Sequence, residues 1–463
     1  MEKNFPPIMA QADVVIAGGG PGGIGAALAA ARTGAKTILL ERLYALGGMM
    51  TMGLMHGIGI SPVIKGIPWE IIRRLESMGA ALMGDWPQGM ALPVGFPLIP
   101  IDPEMTKWLL DEMMHEANIQ VILGSPVVGA ISEGKTIKAV ITENKSGRTA
   151  VTGKVFIDAT GDGDLAARAG ASFEFGRPED GLTSAATLLF RIGNVNLGKL
   201  LASIENHPED LHNNSPEDVN QLRDALRSKP QKFARFGNFL PLIERVMRLH
   251  DFTEWERSIL MRRNGLTFFN TPSPKEVLVN TTRIGPINAT NALEVSDAMV
   301  EGRRQAKFLF DFMKANLPGF ENAYFQDTAA QLGVRESRRI CGDYSFGEKD
   351  VLGFARFADV VVRNTDGIEI HNPVGNGYQF VKLEPQQWYE VPYRSLIAKD
   401  FSNCLLAGRC YSATHIGLGA GRGIGFCMGM GQAAGFAAGL ACMQDISIRE
   451  VNVKEIQKLA GIE

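Results

Sequence analysis

The chain has 463 residues, 45% hydrophobic and 21% charged, enough for two or three domains' worth of core and ordinary for a soluble globular protein. Its net charge of −3 gives no support for a broadly basic face, and so none for a nucleic-acid polyanion as the main partner. Five cysteines (Cys341, Cys404, Cys410, Cys427 and Cys442) never stand as CxxC, which argues against a disulfide framework, an iron–sulfur cluster or a redox disulfide. No metal site is expected. The opening MEKNFPPIMAQAD has no apolar signal core, so export is not expected. The run Ile416–Met443, broken by glycines and Arg422, lacks the uninterrupted apolar stretch of a membrane span, and a cytoplasmic protein is expected.

In chain order, DVVIAG (Asp13–Gly18) reads as a buried parallel strand, GIGAALAAARTG (Gly23–Gly34) as a helix closed by glycine, and KTILLE (Lys36–Glu41) as a second strand. Together they form a βαβ unit. Met49–Pro100 departs from the sheet, with an amphipathic stretch at Trp69–Leu82. Asp102–Ile119 reads as a helix with Asp102 as N-cap and Pro103 at its first position, followed by the strand QVILG. Val127–Ser132, Thr136–Glu143 and Thr149–Thr152 read as a three-stranded meander punctuated by EGK and NKSG, feeding a strand that ends in DATGDGD. From Phe173 to about Glu390 the pattern is mixed, with helices expected around Leu197–Leu226, Gln231–Arg248 and Ser296–Asn316 and a strand at Glu276–Ile284. The strand NCLLAG (Asn403–Gly408) and a small-residue helix from about Gly425 to Met443 close the chain.

Gly18, Gly20 and Gly23 form GxGxxG between strand and helix. They permit a tight turn, backbone approach to a pyrophosphate and close helix–strand packing. The helix start, with Pro21 and Gly22, would face the phosphates, and Glu41 is spaced to accept a ribose hydroxyl. These residues alone leave NAD and FAD open. A second glycine pair (Gly47–Gly48), the DATGDGD strand end and the glycine-rich C-terminal run lie far apart in sequence, which fits an extended, embedded FAD.

The fingerprint with its glutamate, DATGDGD, LGVRESRRICGDY (Leu332–Tyr344) and the run from VPYRSL to GMGQAAG resemble the FAD-dependent oxidoreductase family related to fumarate reductase flavoprotein subunits. That resemblance implies a glutathione-reductase-type FAD fold: α/β, with a discontinuous Rossmann-like FAD-binding domain (11–55, 102–172 and 391–445) holding a parallel sheet and a three-stranded meander. A second mixed α/β portion (56–101 and 173–390) would cover the flavin. It implies that Glu41, with Arg42 beside it, holds the adenosine ribose, while Gly47, Gly48 and Met49 run beside the flavin. Val127 and Val128 would border the adenine, and Gly161 and Asp162 would lie near the adenosine end. Gly408, Gly421 and Gly423 would flank the cofactor where the last helix aims its N-terminus at the flavin.

Two departures from the family pattern stand out. Arg409 and Cys410 occupy the place where an acid usually follows AG, which leaves Arg409 open between a phosphate and a substrate carboxylate. Methionines replace the histidine of covalent flavin attachment near Met49, so FAD is expected to be non-covalent. THIGLGAGRG aligns loosely with the dicarboxylate-gripping segment of fumarate reductases, making His415 and Arg422 the first catalytic candidates. Arg335 and Arg338 join them if the RESRR segment is helical and they share a face; the plain alternative is a solvated charge run. Tyr393 and Arg394 rank third, and His56 is open between site and scaffold. The methionines near the proposed flavin read as packing first and as a soft substrate lining second.

The expected activity is a two-electron (hydride) oxidation or reduction of a small organic substrate, polar or anionic if the arginines face the cavity. No second fingerprint is present, so the electron donor or acceptor is a partner protein, oxygen or a small molecule. Homo-oligomerisation stays open. A flavin-dependent isomerase or hydratase without net redox is the first alternative, and an RNA-modifying flavoprotein, disfavoured by charge, the second.

Overall fold

The computed structural model describes residues 5–83, 98–210, 216–228, 231–262, 265–375, 377–384 and 387–462. Strand β1, Val14–Ala17, is buried at all four positions, as an apolar run requires when both sheet faces are covered. It turns through Gly18–Gly20 into helix α1, Pro21–Arg32, which carries its proline in the first turn where the missing N–H costs nothing. Strands β2, Thr37–Leu40, and β3, Gln120–Ile122, continue the sheet in parallel. Strands β4, Val127–Glu133, β5, Thr136–Asn144, and β6, Gly147–Thr152, are the antiparallel meander, and Ile8–Gln11 adds a parallel edge to β6.

Strand β7, Val155–Asp158, then pairs with the free side of β1 and leads to the short helix α2, Asp164–Ala169. Strand β8, Cys404–Leu406, completes the sheet in the order β8-β7-β1-β2-β3. It is followed by helix α3, His415–Ala420, and helix α4, Ile424–Gln444. The architecture is mixed α/β around a parallel sheet.

Helices α1 and α4 meet backbone to backbone. A Cβ on Gly25 would stand 2.3 Å from the Met428 carbonyl oxygen, one on Gly431 1.9 Å from that of Gly22, and one on Gly435 2.2 Å from that of Ala26. Among the described residues α4 is the one helix that length and composition would let cross a membrane. The run expected to be too broken for a span passes by length and composition only, and 83% of its apolar window is buried inside the protein, chiefly against α1.

A second, antiparallel sheet runs in the order Arg235–Phe236, Phe268–Asn270, Val277–Val279, Phe190–Gly193, Tyr324–Thr328. Its apolar cluster, including Phe190, Phe236, Phe268 and Phe320, is distinct from that of the parallel sheet. The apolar residues of Ile58–Leu75 and Val360–Ile370 belong with the parallel sheet. Local boundaries shift where tertiary pairing overrides propensity. The helix expected from Gln231 starts only at Leu240, because Phe236 is drawn into the sheet and stacks on Phe268 at 5.1 Å. The expected Leu197–Leu226 helix is two, Leu197–Asn206 and Pro216–Arg227, since a proline starts the second.

Candidate active site

The fingerprint glycines divide by what surrounds them. Gly18 has φ +102°, and a Cβ there would meet the Ala159 carbonyl oxygen at 2.4 Å; a Cβ on Gly23 would meet that of Gly18 at 1.7 Å. Both positions exclude a side chain because β1, β7 and α1 converge on them. Gly20 is the opposite, with nothing within 4 Å of where its Cβ would be. The α1 ladder begins with Ile24 N–H donating to the Gly20 oxygen at 3.0 Å, so the N–H groups of Gly22 and Gly23 lead the helix toward that open side.

Glu41, 5% exposed, directly follows β2 and accepts from Gly19 N–H at 2.6 Å and from Leu43 N–H at 2.8 Å. The exposed Arg42 follows it. Gly47 (φ +104°) donates to the Gly19 oxygen at 2.9 Å, and a Cβ on Gly48 would lie 2.9 Å from Gly20 Cα. The second glycine pair therefore rests directly on the first. Met49 packs on an apolar cluster with Leu54 and Leu332. Ser125 N–H donates to the Glu41 oxygen at 2.8 Å, which brings Val127 and Val128 to the same sheet end.

Asp158 ends β7 fully buried, accepting from Thr160 N–H, Thr160 Oγ1 and Ala166 N–H, and burial pushes its carboxyl up to about 6. Beyond it, Gly161 has φ +80°. Asp162 Oδ1 accepts from Arg409 Nη2 at 2.7 Å and from Ser337 Oγ at 2.6 Å. Burial opposes its ionisation, but the Arg409 charge and these hydrogen bonds prevail and hold it below the ordinary carboxylate value. Arg409, left open by the sequence, is thus engaged with Asp162. Gly408, before it, faces Gly22 Cα at 3.9 Å from its own Cβ position.

Arg338 donates through Nε to the Asp162 oxygen at 2.7 Å and through Nη2 to Asp164. Arg335 points elsewhere, donating to the Ala185 oxygen at 2.6 Å and to Thr187 Oγ1 at 2.9 Å. The expectation of one helical face for the two fails because Arg338–Ile340 is a strand paired with Phe173–Phe175. Arg335 lies before that strand in irregular backbone, so no helical face carries the pair.

His415, at the start of α3 behind the Thr414 cap, contacts Glu336 Oε1 through Nδ1 at 2.8 Å. The buried Glu336 also accepts from Arg339 Nη1 and from Ser184 N–H, so one carboxylate orients an imidazole and a guanidinium. Arg422, between α3 and α4 and beside Gly421 and Gly423, donates to the Glu369 backbone and carboxylate oxygens, each at 3.1 Å. Glu369 lies 3.2 Å from His371 Nε2. Burial, and next the positive charge of Arg335, push the His371 imidazole far down, which keeps it neutral. Burial opposes ionisation of Glu369, yet the His371 contact and the Arg422 charge outweigh it and hold the carboxyl well below its ordinary range. His415, Arg422 and Arg335 are brought to one region, whereas Arg338 is turned to the Asp162 side.

Three lower-ranked candidates are held by other partners. The Tyr393 hydroxyl donates to the Ile448 oxygen at 2.7 Å, and Arg394 pairs with Asp359 at 2.9 Å. His56 is fully buried, its Nδ1 on the Ile101 oxygen at 2.8 Å, and burial pushes it down to about 4. Glu336, Arg339, Glu369 and His371 escaped the sequence reading. The alternation in IEIH, two polar residues two apart in a strand, was the available signal for the last pair.

A parallel sheet with a glycine cradle at its carboxyl end and a helix N-terminus aimed into the open side defines a dinucleotide-binding protein. The cradle admits an extended cofactor, since glycines from the front, middle and end of the chain converge there. The FAD dependent oxidoreductase family matches residues 13–459, and the chain belongs to it. It is an FAD-dependent oxidoreductase, and FAD is its cofactor. No curated protein matches the chain. Among solved structures it is similar to a geranylgeranyl bacteriochlorophyll reductase-like protein from Thermoplasma acidophilum (14% identity, 97% of this chain and 83% of that chain, TM-score 0.46). It is also similar to a p-nitrophenol 4-monooxygenase from Pseudomonas putida (12%, 98% and 84%, TM-score 0.46) and to a flavin-dependent brominase (12%, 97% and 83%, TM-score 0.45).

Proposed function

We propose that the protein performs a two-electron oxidation or reduction of a small polar or anionic organic substrate, with FAD held non-covalently. The observation that carries this reading is the meeting of His415, Arg422, Arg335, Glu369 and His371, drawn from separate segments around α3. When bound, FAD supplies the hydride acceptor or donor. Gly18, Gly20, Pro21, Gly22 and Gly23 would bind its pyrophosphate, Glu41 and Arg42 its adenosine end, and Gly47–Met49 its flavin end, with Val127, Val128, Gly161, Gly408, Gly421 and Gly423 lining the rest. Asp162 and Arg409 act as one ion pair bordering this cradle, in place of the acid usual in relatives.

On the substrate side, Arg422 and Arg335 would hold an anionic group and neutralise charge that develops on it. His415 Nε2 would give or take the proton, with Glu336 fixing the ring through Nδ1. Kinship with fumarate reductase flavoprotein subunits is part of this proposal and rests on Thr414–Gly423. So are the division into a discontinuous FAD-binding domain and a covering portion, the cytoplasmic location and an electron partner other than a built-in NAD(P)H domain.

A visible spectrum before and after denaturation tests the cofactor reading. Yellow protein releasing free flavin is expected; a yellow precipitated chain would refute non-covalent attachment, and a colourless chain that takes up no FAD would refute the site. An anaerobic substrate panel then reads the chemistry. Bleaching of the flavin by a polar or anionic compound supports a redox reaction, while turnover without bleaching would replace it with an isomerase or hydratase.

A further inference from the structure

Two guanidiniums on the substrate side have no carboxylate partner among the described residues. Arg283 is 4% exposed; Nη2 donates to the Asn372 oxygen, while Nη1 is buried with no hydrogen-bond partner. Arg262 approaches the same residue, donating through Nη1 to the Arg283 carbonyl oxygen at 2.7 Å. Glu301, whose charge reaches Arg262, is occupied by Trp255 Nε1, Arg304 and Gln305, at 2.9, 3.1 and 3.0 Å. Burial lowers the pKa of both arginines, and for Arg283 the second cause is the positive charge of Arg262. An arginine cannot shed its proton in a protein, so a buried, unpaired guanidinium is an unmet demand for negative charge.

The position ties this demand to the proposed reaction. Asn372, which takes one Arg283 donor, follows His371 in the chain. Ile284 pairs with Ala186, and Ala185, whose oxygen receives Arg335, donates its N–H to the His371 oxygen at 3.3 Å. Arg283 therefore stands on the same wall as Arg335, His371 and Glu369.

We infer that Arg283, backed by Arg262, is a binding subsite for an oxyanion of the substrate, a carboxylate or a phosphate, apart from the Arg422–Glu369 pair. This rests on the reading of an anionic substrate above. An oxyanion there would accept the orphaned Nη1 donor and offset two like charges at once.

The test uses the FAD-loaded protein, with acetate and inorganic phosphate as probes against chloride at matched ionic strength, read by melting temperature and by the flavin difference spectrum. Saturable stabilisation by acetate or phosphate, beyond that by chloride, is expected; whichever binds tighter identifies a carboxylate or a phosphate ester. Arg283→Met should weaken that binding at least about tenfold, since a charge-assisted hydrogen bond is lost. It should also melt no lower than the wild type without anion, because an unpaired buried charge is removed. Arg283→Lys, which retains a charge, keeps the test alive should the methionine variant not fold, and should bind the anion more weakly at unchanged melting temperature. An identical anion response in either variant, or none in the wild type, would overturn the subsite. The anion titration reads melting, so failure of the substrate panel leaves it interpretable and marks a failure of the redox reading instead.

Discussion

Asp366 lies 2.8 Å from where a Cβ of Gly423, the N-cap of α4, would stand, and it is 6% exposed. Burial pushes its carboxyl up to about 7, against a contact with Asn364 and the Arg422 charge that pull it down. A folded value above the ordinary 3.8 means that the folded state binds more protons between the two. Its contribution to stability is therefore complete below about 3.8 and is lost as pH rises through about 7. Asp366→Asn has no such titration and should gain on the wild type as pH rises. Thermal melts at pH 5 and pH 8 should show the difference widening by roughly 1 °C for each kcal/mol involved in a chain of 463 residues. An equal gap at both pH values would mean that the carboxyl is already ionised in the fold. Little of this was legible in sequence: Asp366, like Glu336 and Glu369, is one of many acids until the fold buries it beside a particular cation or helix end.

At the scale of elements, α1 and α4 depend on the absence of side chains where they cross. Gly435→Val would drive methyl groups into the Ala26 carbonyl, whose oxygen already lies 2.2 Å from the missing Cβ. The expected cost is at least about 1–3 kcal/mol of overpacking, with weakened FAD retention because the N-termini of both helices shift together. Chemical denaturation and flavin release would measure it, and a variant as stable and as yellow as the wild type would contradict the close crossing. The βαβ unit, the meander and α4 were readable, because apolar period, glycine breaks and turn residues are local signals. The RESRR segment was not. Its charges suit a solvated helix as well as a buried strand, and only pairing of Arg338–Ile340 with Phe173–Phe175 decides between them.

Across the whole molecule, the parallel sheet is closed by β8, which arrives from near the end of the chain to pair with β7. The cradle exists only once front, middle and end have met, so cofactor binding and folding are coupled. Saturating FAD should raise global stability by about 2.7 kcal/mol at one hundred times its dissociation constant, and melting temperature should climb with FAD concentration. A melting temperature indifferent to FAD would deny that coupling. The sequence by itself determined the dinucleotide grip, because glycine spacing is a local property that survives without coordinates, and its scattered strand-end motifs pointed to FAD and to the FAD-dependent oxidoreductase family. Only the tertiary structure decided which charges face one another. It turned Arg338 toward Asp162, gave Arg409 to the same aspartate, and joined His415 to Glu336. Ion pairing depends on distances and burial among residues far apart in the chain, and no local pattern encodes those.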